Sequence, residues 1–326
     1  MTTATALTPL VEVPAGRFRM GSTEFYPDEG PVRDVEVDAF AVEQHPVTNA
    51  QFARFVAETG YLTVAERELD PADFPGADPA VLVPGGLVFT PTRGPVDLAD
   101  WTRWWRWQAG ASWRHPGGPG TGVDGRGDHP VVLVAFDDAL AYARWAGRDL
   151  PTEAEFEYAA RGGTDGARYA WGDEPRPDGR LMANTWQGRF PYANTGAGGW
   201  VGTSPVGSFP ANGYGLADMI GNVWEWTTTF YLTGDARHAH DGACCAPSSD
   251  DLGPAARASI APGERQPRKA LKGGSHLCAP EYCLRYRPAA RSAQSVDSAT
   301  THIGFRCVVR PAAPAMPAGA ADLLAG

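Results

Sequence analysis

Glycine and proline punctuate this chain so densely that few stretches run long enough for an extended sheet or a bundle of long helices. The 39 glycines and 29 prolines make up about a fifth of the 326 residues, roughly double average usage. Glycine opens backbone conformations closed to other residues, and proline removes a donor from any helix or ladder. Disorder does not follow, because the same chain carries 11 Trp, 10 Tyr and 13 Phe, side chains that bury large apolar areas. The expectation is one irregular α+β domain with little regular secondary structure over residues 11–310. A flexible leader (1–10) precedes it and a disordered tail (311–326) follows.

Hydrophobic patterning supplies the few regular elements. Val35, Val37 and Phe40 alternate as in strands, broken upstream by the turn-rich STEFYPDEG. Thr48 and Gln51 form a capping box ahead of an apolar stripe, Phe52, Phe55 and Val56, and Gly60 stops the helix. Helices are likewise predicted over 137–147, ending at Gly147, and over 151–163, where Thr152 and Glu155 form a second box and Gly162 ends the run. Residues 66–128 show no periodicity.

The net charge of −10 argues against a nucleic-acid partner, which needs a basic face. WTRWWRWQAGASWR (101–114) interleaves Trp with Arg, but in an acidic chain it reads better as core or as the wall of a peptide groove. The N-terminus shows neither a basic region nor a long apolar one, and no apolar run approaches membrane-spanning length. Five cysteines are too few for a disulfide-stapled secreted scaffold. A cytoplasmic protein without membrane association is expected.

Two of those cysteines, Cys278 and Cys283, lie five positions apart in SHLCAPEYCLRYRPAARS (275–292). Five helical positions amount to about 500° of rotation, leaving the thiols about 140° apart. On a strand they would point to opposite faces, and Pro280 disfavours both forms. The sulfurs meet only if residues 278–283 bend. Three outcomes then stay open. One is a zinc site completed from His238, His240, Cys244 and Cys245. Another is a structural disulfide, unusual in a reducing compartment. The third is a two-thiolate site for a soft ion, with Cu(I) the first-row ion that most favours few sulfur ligands. Arg285, Arg287 and Arg291 are expected to help hold the thiols ionised. The plainer alternative is two unrelated buried cysteines acting as small hydrophobes.

The context of the pair carries a resemblance. LKGGSHLCAPEYCLRYRPAARS, followed by THIGFRC (301–307), closely resembles the C-terminal signature of the formylglycine-generating enzymes, the sulfatase-modifying factors. FRMGS (18–22), PVTNAQFARFVAETGY (46–61), WRHP (113–116), DHPVV (128–132), WAGRDLPTEAEFEYAARGG (145–163), YAWGDE (169–174), ANTWQGRFP (183–191) and NGYGLADMIGNVWEWT (212–227) fall in family order. The resemblance implies a fold related to C-type lectins. It also implies an oxidoreductase activity: a post-translational modification that activates sulfatases, in which O2 oxidises the cysteine of a Cys-x-Pro-x-Arg motif to Cα-formylglycine. The partner would be an unfolded or nascent sulfatase polypeptide. CAPSS (245–249) and CAPEY (278–282) lack the final arginine, so the chain is not its own substrate by that rule.

Carried over position by position, the resemblance makes Cys278 and Cys283 the Cu(I) ligands and places Ser275 by the oxygen pocket. It sets Tyr282 and Trp224 as pocket walls, has Asn222 contact the substrate backbone, and leaves His276 as a neighbour rather than a ligand. It implies two structural Ca2+ sites. One comprises Asn184, the Thr185 carbonyl, position 198 and the Trp200 carbonyl. The other comprises Asp218, the Gly221 and Val223 carbonyls, and Glu225, a hard-oxygen set suited to Ca2+. Relatives carry an acid where this chain has Gly198. Disulfides of secretory relatives fall here on Ala143 with Cys307 and on Ala160 with Pro288, so neither forms. Two other readings compete: an iron-dependent sulfoxide synthase, which carries its His-rich motif on an N-terminal helical bundle, and a non-catalytic lectin-like binding module.

Overall fold

Helix α1, Asn49–Thr59, is bounded by the residues that its sequence pattern singles out. The Thr48 hydroxyl accepts from Gln51 N–H, the Gln51 side chain accepts from Thr48 N–H at 2.9 Å, and Gly60 closes the helix at φ 69°. Phe52, Phe55 and Val56 are buried. Helix α2, Phe136–Trp145, starts one residue before the expected position, with the Asp138 carboxylate accepting from Ala135 N–H at 2.8 Å. In α3, Glu153–Arg161, the Thr152–Glu155 box is closed in both directions and Gly162 terminates the helix at φ 59°. These are the local rules of capping and left-handed termination acting as the sequence indicates. The computed structural model describes residues 5–73, 76, 78, 82–234 and 253–311.

The strands are short. The N-terminal half supplies β1 (Leu10–Val13), β2 (Gly16–Met20), β3 (Arg33–Val37), β4 (Phe40–Glu43), β5 (Gly85–Phe89) and β6 (Trp105–Ala109). The C-terminal half supplies β7 (Gly188–Arg189), β8 (Ala193–Asn194), β9 (Trp224–Phe230), β10 (Arg268–Lys272), β11 (Arg291–Ser295), β12 (Ile303–Gly304) and β13 (Val308–Val309). One sheet has the order β1-β4-β13, a second β11-β10-β9-β12, and β2-β3, β5-β6 and β7-β8 pair off separately. The N- and C-terminal segments thus share a sheet on β4, so the chain closes on itself as one domain. No helix among the described residues is long and apolar enough to cross a membrane.

Two expectations change. Where a flexible leader is expected through residue 10, Thr8 is fully buried and donates to Gln51 Oε1 at 3.1 Å, and β1 already begins at Leu10. Within the aperiodic 66–128 stretch, β5 and β6 form a hairpin in which Leu87 faces Trp107. It is held from outside: Leu87 N–H donates to Ala299 O, and Thr301 N–H to Leu87 O. A strand supported by distant chain needs no alternation of its own.

With so little ladder, buried ion pairs hold the connections. Arg287 pairs with Glu29, Arg291 with Glu153, Lys272 with Glu157, and Arg306 with Glu225. All eight side chains are at most 3% exposed. Three of the four carboxylates belong to segments more than 100 residues from their partners in sequence. These pairs tie α3 to β10 and β11, β9 to the segment ahead of β13, and the cysteine loop to the segment before β3.

Candidate active site

Strands β9 and β10 run antiparallel with Glu225 beside Lys272, which sets the segment entering β9 next to the segment leaving β10. The latter is the long connection to β11 that carries both cysteines. It starts with Gly273 and Gly274 at φ 92° and 75°. A Cβ on Gly274 would lie 2.8 Å from Arg285 O and 2.9 Å from Tyr286 Cα. Only glycine satisfies both the torsion and the close approach of the loop's two limbs. We expect Gly274→Ala to cost about 1–3 kcal/mol and to separate the limbs, read as a lowered melting temperature together with loss of the thiol–thiol contact.

Beyond the glycines the chain bends instead of extending. Cys278 N–H donates to Ser275 O at 3.0 Å, and the Tyr282 and Cys283 N–H groups both donate to Ala279 O, at 3.0 and 2.6 Å. The bend brings Cys278 Sγ and Cys283 Sγ to 3.1 Å. Both are free thiols; Cys278 is buried and Cys283 half-buried. Burial raises the Cys278 thiol, but the Cys283 S–H, the Ser275 N–H at 3.4 Å and the Arg285 guanidinium outweigh it and hold it below the ordinary thiol value. Cys283, donating to its neighbour and itself desolvated, is pushed well above. The pair is therefore asymmetric: the inner thiol gives up its proton more readily than the outer one.

The three arginines divide the work unequally. Arg285 alone acts on the sulfurs; it is held by Asp28 Oδ2 at 3.0 Å and lies over the Tyr26 ring at 4.0 Å. The expectation that Arg287 and Arg291 also serve the thiols is corrected, because Glu29 and Glu153 consume both guanidiniums in buried pairs. The acids come from the turn-rich STEFYPDEG and the start of α3. Sequence reading missed Tyr26, Asp28 and Glu29. The signal was there, in that three closely spaced arginines in an irregular segment require carboxylates from elsewhere.

An aromatic wall flanks the pair. Tyr282, 37% exposed, stacks on Phe190 at 4.4 Å and meets Trp104 edge-on at 5.3 Å. Leu277 and Ala279, which bracket Cys278, pack with Trp104, Trp186 and Phe190. The Trp-rich 101–114 stretch thus borders the cysteine loop, while Trp101 and Trp107 remain half exposed. Trp224 lies at 4% exposure in the main core cluster that also holds Cys278. Ser275 is fully buried, its Oγ accepting from Leu277 N–H at 3.2 Å. Asn222 is corrected as a substrate contact: it is 0% exposed, and its amide is bonded to the Ser204 backbone. Its carbonyl accepts from His276 N–H at 2.9 Å and faces the His276 ring at 2.8 Å. Burial takes His276 down to about 4, so the imidazole is neutral and works as a brace.

A family model described as the sulfatase-modifying factor enzyme 1-like domain matches residues 2–311. The chain belongs to the sulfatase-modifying factor family. Among similar proteins, a formylglycine-generating enzyme of Mycobacterium tuberculosis is 65% identical over 94% of this chain and 99% of its own length. One of Thermomonospora curvata is 44% identical, covering 93% of each chain. A Bos taurus relative at 37% identity, covering 91% of this chain and 87% of its own, is named an inactive C-alpha-formylglycine-generating enzyme 2, so membership by itself does not decide catalysis. PvdO from Pseudomonas aeruginosa shares the fold at TM-score 0.58 and 24% identity, covering 93% of this chain and 94% of that one.

Both calcium sets that the sulfatase-modifying factor resemblance implies contain a buried oxygen without a hydrogen bond. Asn184 Oδ1 and Asp218 Oδ1 are buried and unsatisfied. Asp218 Oδ2 accepts from Gly207 N–H at 2.7 Å, and burial raises its carboxyl to about 6. Glu225 meets Arg306 through both oxygens at 2.8 Å. Thr185 O accepts from Gln187 Nε2 at 3.1 Å, and Trp200 O from Ala197 N–H at 3.0 Å. Gly198 stands at φ 58°. Gly221 and Val223 lie on the buried approach to β9. Cys307 is a buried free thiol in one cluster with Ala143. No third His, Cys, Asp or Glu joins the two cysteines among the described residues; His238, His240, Cys244, Cys245 and the tail from 312 lie outside them.

Proposed function

We propose that this protein converts the cysteine of a Cys-x-Pro-x-Arg sequence in an unfolded sulfatase polypeptide into Cα-formylglycine. O2 is the acceptor, and Cu(I) is held by Cys278 and Cys283. The observation that carries the reading is the pair of free thiols 3.1 Å apart, one buried and one half-buried, in a chain similar to enzymes named for this product. Two soft sulfur donors, the inner one favoured as thiolate, fit a monovalent soft ion that accepts few ligands. When bound, copper supplies a soft open position for a further thiolate and the redox chemistry with O2 that no side chain here has.

The protein's own groups do the rest. Cys283 holds the proton that must leave as a ligand forms, and Arg285 keeps positive charge beside the sulfurs. Ser275 N–H orients Cys278 Sγ. Tyr282, immobilised between Phe190 and Trp104, gives an incoming peptide a rigid, water-excluding wall. The test is incubation with Cu(I), O2 and a Cys-x-Pro-x-Arg peptide, followed by mass spectrometry for loss of the thiol and gain of an aldehyde. Absence of product under these conditions overturns the reading.

Calcium completes the proposal as a structural ion. The orphaned oxygens of Asn184 and Asp218 suit a hard cation that prefers carboxylate and carbonyl oxygen. The Asn184 site is two hydrogen bonds from the cysteine loop, since Asn184 O accepts from Asn222 N–H and Asn222 O accepts from His276 N–H. At Gly198 an added Cβ meets only Phe209, at 3.6 Å, and aspartate tolerates positive φ better than most residues. Gly198→Asp is therefore expected to tighten calcium binding. Each tenfold gain would add about 1.4 kcal/mol to stability at saturating calcium, read as a larger calcium-dependent rise in melting temperature than in the parent. An unchanged calcium dependence would remove position 198 from the site.

A further inference from the structure

A cavity of about 370 Å³ opens on the flank of the cysteine loop, within the size range of small-ligand and side-chain sites. Its walls are mostly apolar, with Trp171, Leu181, Met182, Trp186, Pro280 and Tyr286, and polar side chains complete the lining. Two of them belong to the catalytic segment. Pro280 lies between the two cysteines, and Tyr286 follows them by three positions. The cavity thus borders the loop that carries the thiols. Of its lining residues, Trp186 belongs to the aromatic wall and Thr185 and Gln187 to the implied calcium arrangement, and the others have no part in either.

The wall is built in advance. Trp171 stacks on Tyr169 at 5.1 Å with a 3° interplanar angle, and Tyr169 stacks in turn on Tyr286 at 6.0 Å. The Trp171 indole N–H donates to Glu174 O at 2.8 Å, and Arg176 donates to Gln187 Oε1, both of them lining residues. A rigid apolar pocket with a polar rim loses little entropy when an apolar side chain enters it. Folded proteins bury such side chains, whereas an unfolded polypeptide presents them. A peptide advances at most about 3.5 Å per residue, so a chain with its cysteine at the sulfur pair reaches the far side of Pro280 within a few residues.

We propose that this cavity takes an apolar side chain of the substrate polypeptide lying outside the Cys-x-Pro-x-Arg core, making it a specificity site for the flanking sequence. The assignment rests on the proposed reaction for its occupant. Its test therefore uses binding as well as turnover. A core peptide flanked by Gly and Ser is compared with a series in which a single Leu is walked along both flanks. Calorimetry is run on unreactive versions carrying Ser for the substrate Cys, and steady-state kinetics on the parent peptides. At one register the Leu is expected to improve Kd and KM about tenfold, the scale of one apolar group in a pocket, with kcat unaltered. Met182→Lys and, separately, Leu181→Lys should each reduce that Leu-to-Gly ratio to near one. The ratio is internal to each variant, so a partial loss of folded protein does not alter it. No favoured register, or a ratio that survives both variants, overturns the cavity assignment. Leu-dependent binding that both variants erase upholds it even where no peptide is turned over, a result that would sink the proposed reaction alone.

Discussion

Replacing Cys278 with alanine is expected to abolish conversion of a Cys-x-Pro-x-Arg peptide, a loss on the order of 10³-fold or more, and Cys283→Ala is expected to do the same. The reason is geometric. Each sulfur lies 3.1 Å from the other, and residues that act as one unit lose their function together rather than in proportion. The two variants should differ in stability. Cys278 is 1% exposed in the main cluster, so its truncation leaves a small cavity and lowers the melting temperature. Cys283 is half-buried and its loss should be milder. Competition for Cu(I) with a chromophoric chelator separates the roles: both variants should lose high-affinity copper binding while remaining folded by circular dichroism. Product from either variant, or retained tight copper binding by either, would remove the pair from the metal site.

The second large effect is expected at Arg287, which never touches a sulfur. Its guanidinium is 1% exposed, donates to Glu29 through two nitrogens, one of them at 2.8 Å, and donates to Leu284 O at 2.8 Å. It also lies 3.7 Å from the Phe25 ring centroid. Arg287→Ala strips the buried Glu29 carboxylate of this partner, which costs about 3–5 kcal/mol. For a chain of this length that is a fall in melting temperature on the order of 10 °C. Because Leu284 is one residue from Cys283, the same variant should weaken catalysis through loosened sulfur geometry. Glu29→Gln in the Arg287→Ala background removes the buried charge that has lost this partner and should recover part of the stability but not the turnover. Full recovery of turnover would show that the bridge matters only as bulk structure.

Much of the local structure was legible residue by residue. Thr48 with Gln51, Thr152 with Glu155, and the stops at Gly60 and Gly162 act over at most four residues, a range in which the sequence alone states both partners. The pairing of β5 with β6 was not legible, because it is held by Ala299 and Thr301, more than 200 residues downstream of Leu87 in the chain. The aromatic wall was half legible. Tyr282 and the Trp-rich segment each attracted attention, but the ring that joins them, Phe190, comes from a third segment. Asn222 misled in the opposite way. The resemblance implies a peptide contact for this amide, yet here it closes on Ser204.

What the sequence determined by itself is the kind of object: a glycine-rich, irregular α+β domain with two thiols that meet only if the chain bends at Pro280. Tertiary structure decided what those thiols become. Asp28 places Arg285 beside them, Glu29 and Glu153 withhold the other two arginines, and the backbone of Ser275 and Ala279 closes the bend. The physical reason is range. Capping and turn preferences act along the chain within a few residues. The charge, burial and hydrogen bonding that set a sulfur's proton affinity act through space, among groups that only the folded chain brings together.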